Sequence, residues 1–436
     1  MAASSQERRR TPLRVLLTGA TGFIGSAVRA RLIAEGIEVA GVTRAPRREP
    51  DWVTVDMARA VRAEDWLAHL AGIDAVVNCA GVLQDRPGNS VRGVHERGAA
   101  ALFAACERAG VRRVIHVSAI GVDRETPTEF SRSKQAGDAA LMARDLDWII
   151  LRPSVVVGRP AFGGSALFRG LAALPLLPLM EGTGPLQVVQ LDEVVETVRF
   201  FLRPEAPAKV ALELAGPERL ALPEVVAAYR RWLRFPPARR VRLPGPLTRL
   251  AFALGDFAGM LGWRPPIRGT VAREILRGAV GDPSQWSRMT GISPRPLAQA
   301  LAAEPASVQE RWFARLYFLK PVIFVTFSLF WIATGLVSLG PGFDVGMEYL
   351  DSTAMAPIAP PAIIAGALAD LAVGLMIAIR PTARLGLWLA LAVSLFYALA
   401  GTVFAAFLWS DPLGPMLKIW PIIALNLVAL AILEDR

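Results

Sequence analysis

Short apolar runs recur along the first 120 residues, each closed by glycine, polar or charged positions and separated by stretches of helical period. Arg14-Val15-Leu16-Leu17 and residues 38–43, 52–55, 75–77 and 114–117 have the length and unbroken apolarity of strands buried on both faces. A helical stretch over 26–34 follows the first run. Strands that alternate with helices predict an α/β, doubly wound parallel sheet of Rossmann type. Beyond it, residues 222–233 and 267–278 read as helices over a cleft, and Pro236-Pro237 and Pro265-Pro266 punctuate the stretch. Residues 246–263 are apolar on more than one face, with Arg249 and Asp256 as their charges. That pattern favours packing beneath the α/β domain over lying on a membrane surface. Residues 307–319 predict a helix running into the next segment, and Gly163-Gly164-Ser165 a flexible substrate loop or a turn.

The last quarter changes character. Residues 321–339 hold no charge and would make a helix about 28 Å long, the thickness of a bilayer core. Residues 361–379 carry one charge, Asp370, and 385–407 carry none. The apolar run 419–433 is shorter and spans only with help from residues before it, giving a fourth segment at about 416–433. The chain therefore divides into a flexible N-terminus (1–12), a Rossmann domain (13–215), a helical connector on the substrate side (216–310) and a four-helix transmembrane bundle (311–436).

Composition agrees with a membrane part: 53% of the 436 residues are apolar, 20% are charged, and the mean hydropathy is +0.39. The net charge of +10 could point to nucleic acid. The arginines are spread along the chain without a basic stripe interleaved with aromatics, so anionic lipid is the partner they suggest. Cys79 and Cys106 offer neither a disulfide framework nor metal-ligand spacing, and read as core residues in a reducing compartment. The start is polar, with Arg8-Arg9-Arg10, and the apolar run at 13–17 is too short for a signal peptide. Arg311, Arg315 and Lys320 precede the first span, Arg380 and Arg384 join the second to the third, and Arg436 ends the chain. The opposite loops carry Asp344, Glu348, Asp351 and Asp411, with Lys418 as their cation. The positive-inside rule then puts both termini and the Rossmann domain in the cytoplasm, in a multi-pass protein of the cytoplasmic (inner) membrane. Asp370, at mid-span depth, is either a functional group such as a proton relay or quinone contact, or a carboxyl satisfied by Ser394, Thr402, Tyr397 or Asn426.

The first strand leads into Thr18-Gly19-Ala20-Thr21-Gly22-Phe23-Ile24-Gly25 and then a helix. Glycine is needed where such a turn is tight, where backbone approaches a pyrophosphate, and where helix packs on strand; the helix N-terminus adds amide donors. An acidic residue that would bind the adenosine ribose hydroxyls is missing near the end of the second strand. Thr43-Arg44 stands there instead, with Arg47 and Arg48 beyond, which favours NADP over NAD; a merely solvated basic loop is the alternative. The third strand leads to Asp56 and Met57, and the fourth to Asn78-Cys79-Ala80-Gly81.

Together with Leu151-Arg152-Pro153-Ser154, these motifs resemble the extended or atypical short-chain dehydrogenase/reductase families over about residues 13–213, an epimerase/dehydratase-like group that includes the NADPH-holding accessory subunit of respiratory complex I. The resemblance implies that Gly19, Gly22 and Gly25 surround the pyrophosphate, with Thr21, Phe23 and Ile24 in the same turn. It implies that Asp56, beside Met57, meets the adenine and that Thr43 and Arg44 lie near its ribose. It further implies that Ala80 and Gly81 line the ribose, that Ser118 faces the substrate oxygen, and that Lys134 binds the nicotinamide ribose. The family pattern Tyr-x-x-x-Lys appears here as Phe130-Ser131-Arg132-Ser133-Lys134. Phenylalanine keeps the ring and loses the proton that a tyrosine passes to substrate. The first of the four tyrosines is Tyr229, so the α/β domain holds no neighbouring substitute. The membrane bundle looks like the DoxX-like family, associated with quinone-linked redox chemistry.

Two functions follow as leading expectations. The first is a membrane-anchored NADP-dependent oxidoreductase acting on a lipophilic substrate, a quinone or lipid, in which water or the substrate supplies the missing proton. The second is a catalytically silent NADPH-binding sensor, or an assembly or scaffold protein of a membrane complex or homo-oligomer. A transporter regulated by the Rossmann part ranks last. No metal or nucleic acid is expected.

Overall fold

The computed structural model describes residues 12–85 and 90–434. The expected flexible segment 1–12, apart from Pro12, lies outside the described residues, as does Arg436. Seven parallel strands form one sheet: β1 (Arg14–Thr18), β2 (Glu38–Thr43), β3 (Trp52–Thr54), β4 (Ala75–Asn78), β5 (Arg113–Val117), β6 (Asp147–Pro153) and the strand Val210–Leu214. Their order across the sheet is Val210–Leu214, β6, β5, β4, β1, β2, β3. The chain winds outward from β1 to β3 and then crosses to β4 on the other side of β1. The crevice beyond the carboxyl ends of β1 and β4 is thus the topological switch point where such sheets bind ligands.

The apolar runs are continuous because both faces of the sheet are covered. Val15, Leu17, Val77, Ile115 and Ile149 point to one side, under α1 (Phe23–Ala34) and the helix Leu191–Phe201. Leu16, Val76, Val114 and Ile150 point to the other and meet Trp66 of α2 (Glu64–Leu67), Leu102 and Phe103 of α3 (Ala99–Ala109), and Leu141 of α4 (Glu129–Met142). A π-helical turn, Gly93–Gly98, leads into α3. A Cβ on Gly98 would sit 2.0 Å from the Met57 carbonyl oxygen, so a side chain there would drive this turn off the loop after β3. α4 is closed by a capping box between Thr128 and Ser131.

The chain separates into two compact units, one running to Gly255 and resuming at Pro266–Ala314, the other comprising Asp256–Pro265 and Arg315–Arg436. In the second unit four helices are long and apolar enough to cross a membrane: Leu319–Leu339, Ala356–Ala378, Ala383–Phe404 and Pro415–Ile432. Glycines let them approach: a Cβ on Gly335 would lie 2.6 Å from the Ala367 carbonyl oxygen, and one on Gly374 2.8 Å from the Ile332 nitrogen. Asp370 is buried, and of the four partners considered for it, Tyr397 donates to its Oδ1 at 3.0 Å. Asn426 instead donates to the Leu387 carbonyl at 3.0 Å.

Four local expectations need correction. The third span ends at Phe404, because residues 406–409 form a separate 3₁₀ turn. The helix expected over 307–319 stops at Leu316, and the first span begins afresh at Leu319. Gly163-Gly164-Ser165 is neither a loop nor an isolated turn: it opens the helix Gly163–Ala173, where Ser165 Oγ accepts from the Phe162 N–H. Residues 246–263 do not bury their apolar side beneath the α/β domain. They form the helix Gly245–Met260, in which only Gly255 is fully buried and Leu247, Leu250, Leu254, Phe257 and Met260 are each at least half exposed.

Trp286 is completely buried in the core under one face of the sheet and donates its indole N–H to Thr197 Oγ1 at 2.9 Å. Trp286→Ala leaves a cavity and removes the indole donor to Thr197, whose hydroxyl keeps its bond to the Glu193 carbonyl, and is expected to cost ~3–5 kcal/mol. The check is a lower thermal midpoint for the α/β unit, followed by its circular dichroism in detergent.

Candidate active site

The glycine turn fits the backbone around it closely. Gly19 has φ +66°, and a Cβ there would stand 2.6 Å from the Cys79 carbonyl group at the end of β4. A Cβ on Gly25 would lie 2.2 Å from the Gly19 oxygen, and one on Gly22 would lie 3.1 Å from it. Gly22 caps α1 without a side-chain hydrogen bond, which leaves the first-turn amides open to an anion. Phe23 stacks on Phe162, ring centres 5.4 Å apart. These features suit a dinucleotide pyrophosphate: bare backbone, a helix N-terminus and no side chain in the way.

Beside the turn, a cavity of about 320 Å³ is lined by Ala20, Thr21, Ser26, Arg29, Arg47 and Trp52, among others. The guanidinium groups of Arg29 and Arg47 lie 4.6 and 4.2 Å from the centre of the Trp52 ring. Arg29 also pairs with Asp51, while its Nε is buried without a partner. Arg44 is exposed and is not among the lining residues, and Thr43 is buried. Asp56 accepts the Ala58 N–H at 3.1 Å and lies 3.5 Å from Arg59; Met57 is buried. The structure thus brings Thr21 together with Arg47, and adds Arg29 and Trp52. Neither was visible as a site residue, because their proximity depends on how α1 crosses the β2–β3 edge.

A second cluster surrounds Lys134 on α4. Its Nζ donates to the Val117 carbonyl at 2.8 Å and faces the Gly81 backbone, where a Cβ would be 3.7 Å away. Burial, only partly offset by Asp138, lowers the Lys134 pKa to about 8. His95, in the π-helical turn, accepts the Val82 N–H at Nε2 (2.9 Å), so its Nδ1 carries the proton and donates to Ser133 Oγ at 3.0 Å. Asn78 similarly occupies His116 Nδ1 at 3.0 Å, leaving the proton on Nε2, which faces Asp138 Oδ1 across 3.5 Å. Burial and the Lys134 charge hold both imidazoles neutral, well below the usual histidine range. Asp138, pushed up by burial, pairs with Arg152 at 3.0 Å.

Phe130 is half-buried, and its ring meets that of His95 edge-on at 5.6 Å. Ser118, immediately after β5, is buried beside Asp138, whose carboxyl its hydroxyl helps to hold down, although no hydrogen bond of good geometry reaches the Ser118 hydroxyl, His116 Nε2 or Asp138 Oδ1. Polar atoms of this kind are costly to bury, and His116 and Asp138 both feel the Lys134 charge. His95, His116 and Asp138 were not singled out from sequence. One signal was available: Asp138 stands four residues after Lys134, on the same face of a helix.

Residues 19–169 match the profile of an NAD(P)H-binding family, and residues 328–427 match the DoxX-like family. A ceramide reductase of Caulobacter vibrioides is 27% identical over 296 residues, which cover 64% of this chain and 92% of that protein. The Arabidopsis thaliana mitochondrial NADH dehydrogenase [ubiquinone] 1 alpha subcomplex subunit 9 is 26% identical over 253 residues; the match spans 55% of this chain and less than two thirds (62%) of the subunit. Among solved structures, UDP-glucuronic acid 4-epimerase from Bacillus cereus, in complex with UDP-glucuronic acid and NAD, superposes with a TM-score of 0.51. It is 17% identical, covers 70% of this chain and is itself covered completely, a likeness of fold. The chain thus joins a region similar to NAD(P)H-binding domains to a DoxX-like region, and its described residues include four helices long and apolar enough to cross a membrane.

Gly25→Val forces a branched side chain against the Gly19 carbonyl. Dinucleotide affinity is expected to fall at least ~100-fold, as read by the quenching of tryptophan fluorescence on titration with NAD(P)H, while the far-ultraviolet dichroism is retained.

Proposed function

We propose that the chain is an NADPH-dependent reductase of a carbonyl group on a lipophilic molecule, in which Lys134 holds the proton that a tyrosine would otherwise carry. The observation that carries this reading is the buried Lys134 ammonium, held on the Val117 carbonyl one residue before Ser118, with its pKa lowered to about 8. When bound in the glycine cradle, the reduced nicotinamide supplies the hydride for the carbonyl carbon. Ser118 donates a hydrogen bond to the carbonyl oxygen and polarises it. Lys134 then protonates that oxygen and becomes a neutral amine, which solvent recharges. A group titrating near working pH is well matched to such a transfer. Neutral His95 and His116 keep a second positive charge away from Lys134, and Asp138 with Arg152 fixes the helix face that presents it.

Arg29 and Arg47 offer two guanidinium groups at the adenosine end, which suits the extra phosphate of NADP and replaces Arg44 as the pair to test. A lipid substrate is favoured over a quinone by the relative named ceramide reductase, of which this chain spans 92%. The loop charges support a cytoplasmic α/β unit with both termini on the same side.

A second reading has its own support. Phe130, together with the likeness to a complex I subunit, favours a catalytically silent NADPH-binding protein that helps to assemble or sense a membrane complex.

Phe130→Tyr separates the two: restored proton transfer is expected to raise the rate of carbonyl reduction, and an unchanged null rate would favour the silent protein. For the unsubstituted chain the rate should fall as pH rises through about 8, because only the protonated amine can donate. Lys134→Met should remove ~10²–10⁴-fold of kcat and abolish that alkaline limb. Arg47→Ala is expected to weaken NADPH ~10–100-fold while leaving NADH affinity nearly unchanged, as measured by titration calorimetry.

A further inference from the structure

The helix Gly245–Met260 presents an apolar stripe that is left half exposed. At 100° per residue, Leu247, Leu250, Leu254 and Phe257 fall within an arc of about 80°. Their exposures run from 50% to 59%. The opposite face is closed, since a Cβ on Gly255 would lie 1.6 Å from the Ile267 carbonyl oxygen. Four large apolar side chains on one stripe form a patch that a water-soluble surface seldom carries without a use.

Two observations identify what covers it. The first is charge. The strand just before the helix is Arg239–Arg242, with Arg239, Arg240 and Arg242 exposed, and Arg249 follows within the helix. The second is continuity with the membrane unit. Beyond its last turn, the Leu261 carbonyl accepts the Arg380 N–H at 2.9 Å, between the second and third spans. The Trp263 indole donates to the Ala378 carbonyl at 2.7 Å, at the end of the second span, and its ring packs 4.7 Å from Phe324. The helix therefore leads straight into a segment that packs on the ends of the second and third spans, and tryptophan and arginine are the residues that anchor membrane proteins at the headgroup layer.

We infer that helix Gly245–Met260 lies in the plane of the membrane surface, with Leu250, Leu254 and Phe257 among the acyl chains and the arginines of residues 239–249 on anionic headgroups. A helix of this kind is held by apolar burial together with attraction to acidic lipid. Its partner is the lipid surface itself, not a second protein.

The test uses the full chain in nanodiscs of phosphatidylcholine with phosphatidylglycerol. Leu250→Cys, Leu254→Cys and Phe257→Cys variants carry nitroxide labels, with the unsubstituted chain as background and Glu205→Cys as a water-facing control. The ratio of oxygen to nickel-chelate accessibility is expected to be several-fold higher along the stripe than at the control. Ready access of the nickel chelate to the stripe would place it in water and overturn the inference. Low access of both reagents would mean that protein, from a partner or a second copy, covers the face, and would overturn it equally. An Arg240→Glu, Arg242→Glu variant is expected to lose depth in acidic nanodiscs and not in phosphatidylcholine alone. Unchanged depth in acidic nanodiscs would refute the role given to the arginines.

Discussion

The burial of one ammonium group organises the polar cluster at the ends of β4 and β5. Lys134 is 4% exposed, so its charge must be met by the protein and not by water. The Val117 carbonyl meets it directly, and Asp138 supplies the opposing charge from the next turn of α4. The same charge dictates the state of its neighbours. Two buried histidines stay neutral, each with one nitrogen occupied by a donor from the β4 end: the Val82 amide on His95 and the Asn78 side chain on His116. Asn78 also accepts from Thr18 at 2.5 Å, so the polar chain reaches β1. The strand ends, the π-helical turn and α4 are tied together by a network whose centre carries the proton.

The loss of tyrosine acquires a physical meaning in that setting. In the family pattern a tyrosine four residues before the lysine passes the proton. With Phe130 in place, the ring still packs against His95, and the ammonium is left without that phenol. Its own pKa, lowered to about 8, is what lets the ammonium take the acid's part in the proposed reaction. Ser118, at the end of β5, is the donor that the proposed reaction assigns to the substrate oxygen, and its hydroxyl would have to turn from Asp138 to give that bond.

The parallel sheet was legible because its inner strands, such as β1 and β4, are buried on both faces, so that their short apolar runs stand out; the edge strand Val210–Leu214, only partly buried, did not. The glycine turn was legible for a related reason: Gly19 and Gly25 sit where backbone approaches backbone within a Cβ radius, and only one residue type allows it. What the sequence hid depends on chain crossings. Arg29 belongs to a helix and Arg47 to a loop, and they meet at the Trp52 ring only once β3 lies at the sheet edge. His95 and Ser133 are 38 residues apart and give no spacing signal. The helix Gly245–Met260 was misread for another reason: an apolar stripe predicts that a face is covered and says nothing about whether protein or lipid covers it.

The most direct test of the account is a single-turnover reaction of the full chain in lipid nanodiscs, with NADPH deuterated at the nicotinamide C4 and a long-chain lipid ketone as probe. The account predicts deuterium on the former carbonyl carbon, detected by mass spectrometry, with a yield that declines above about pH 8 in step with the Lys134 pKa. Stoichiometric NADPH binding with no label transferred at any pH would contradict it, and would leave a nucleotide-holding membrane protein in place of a reductase.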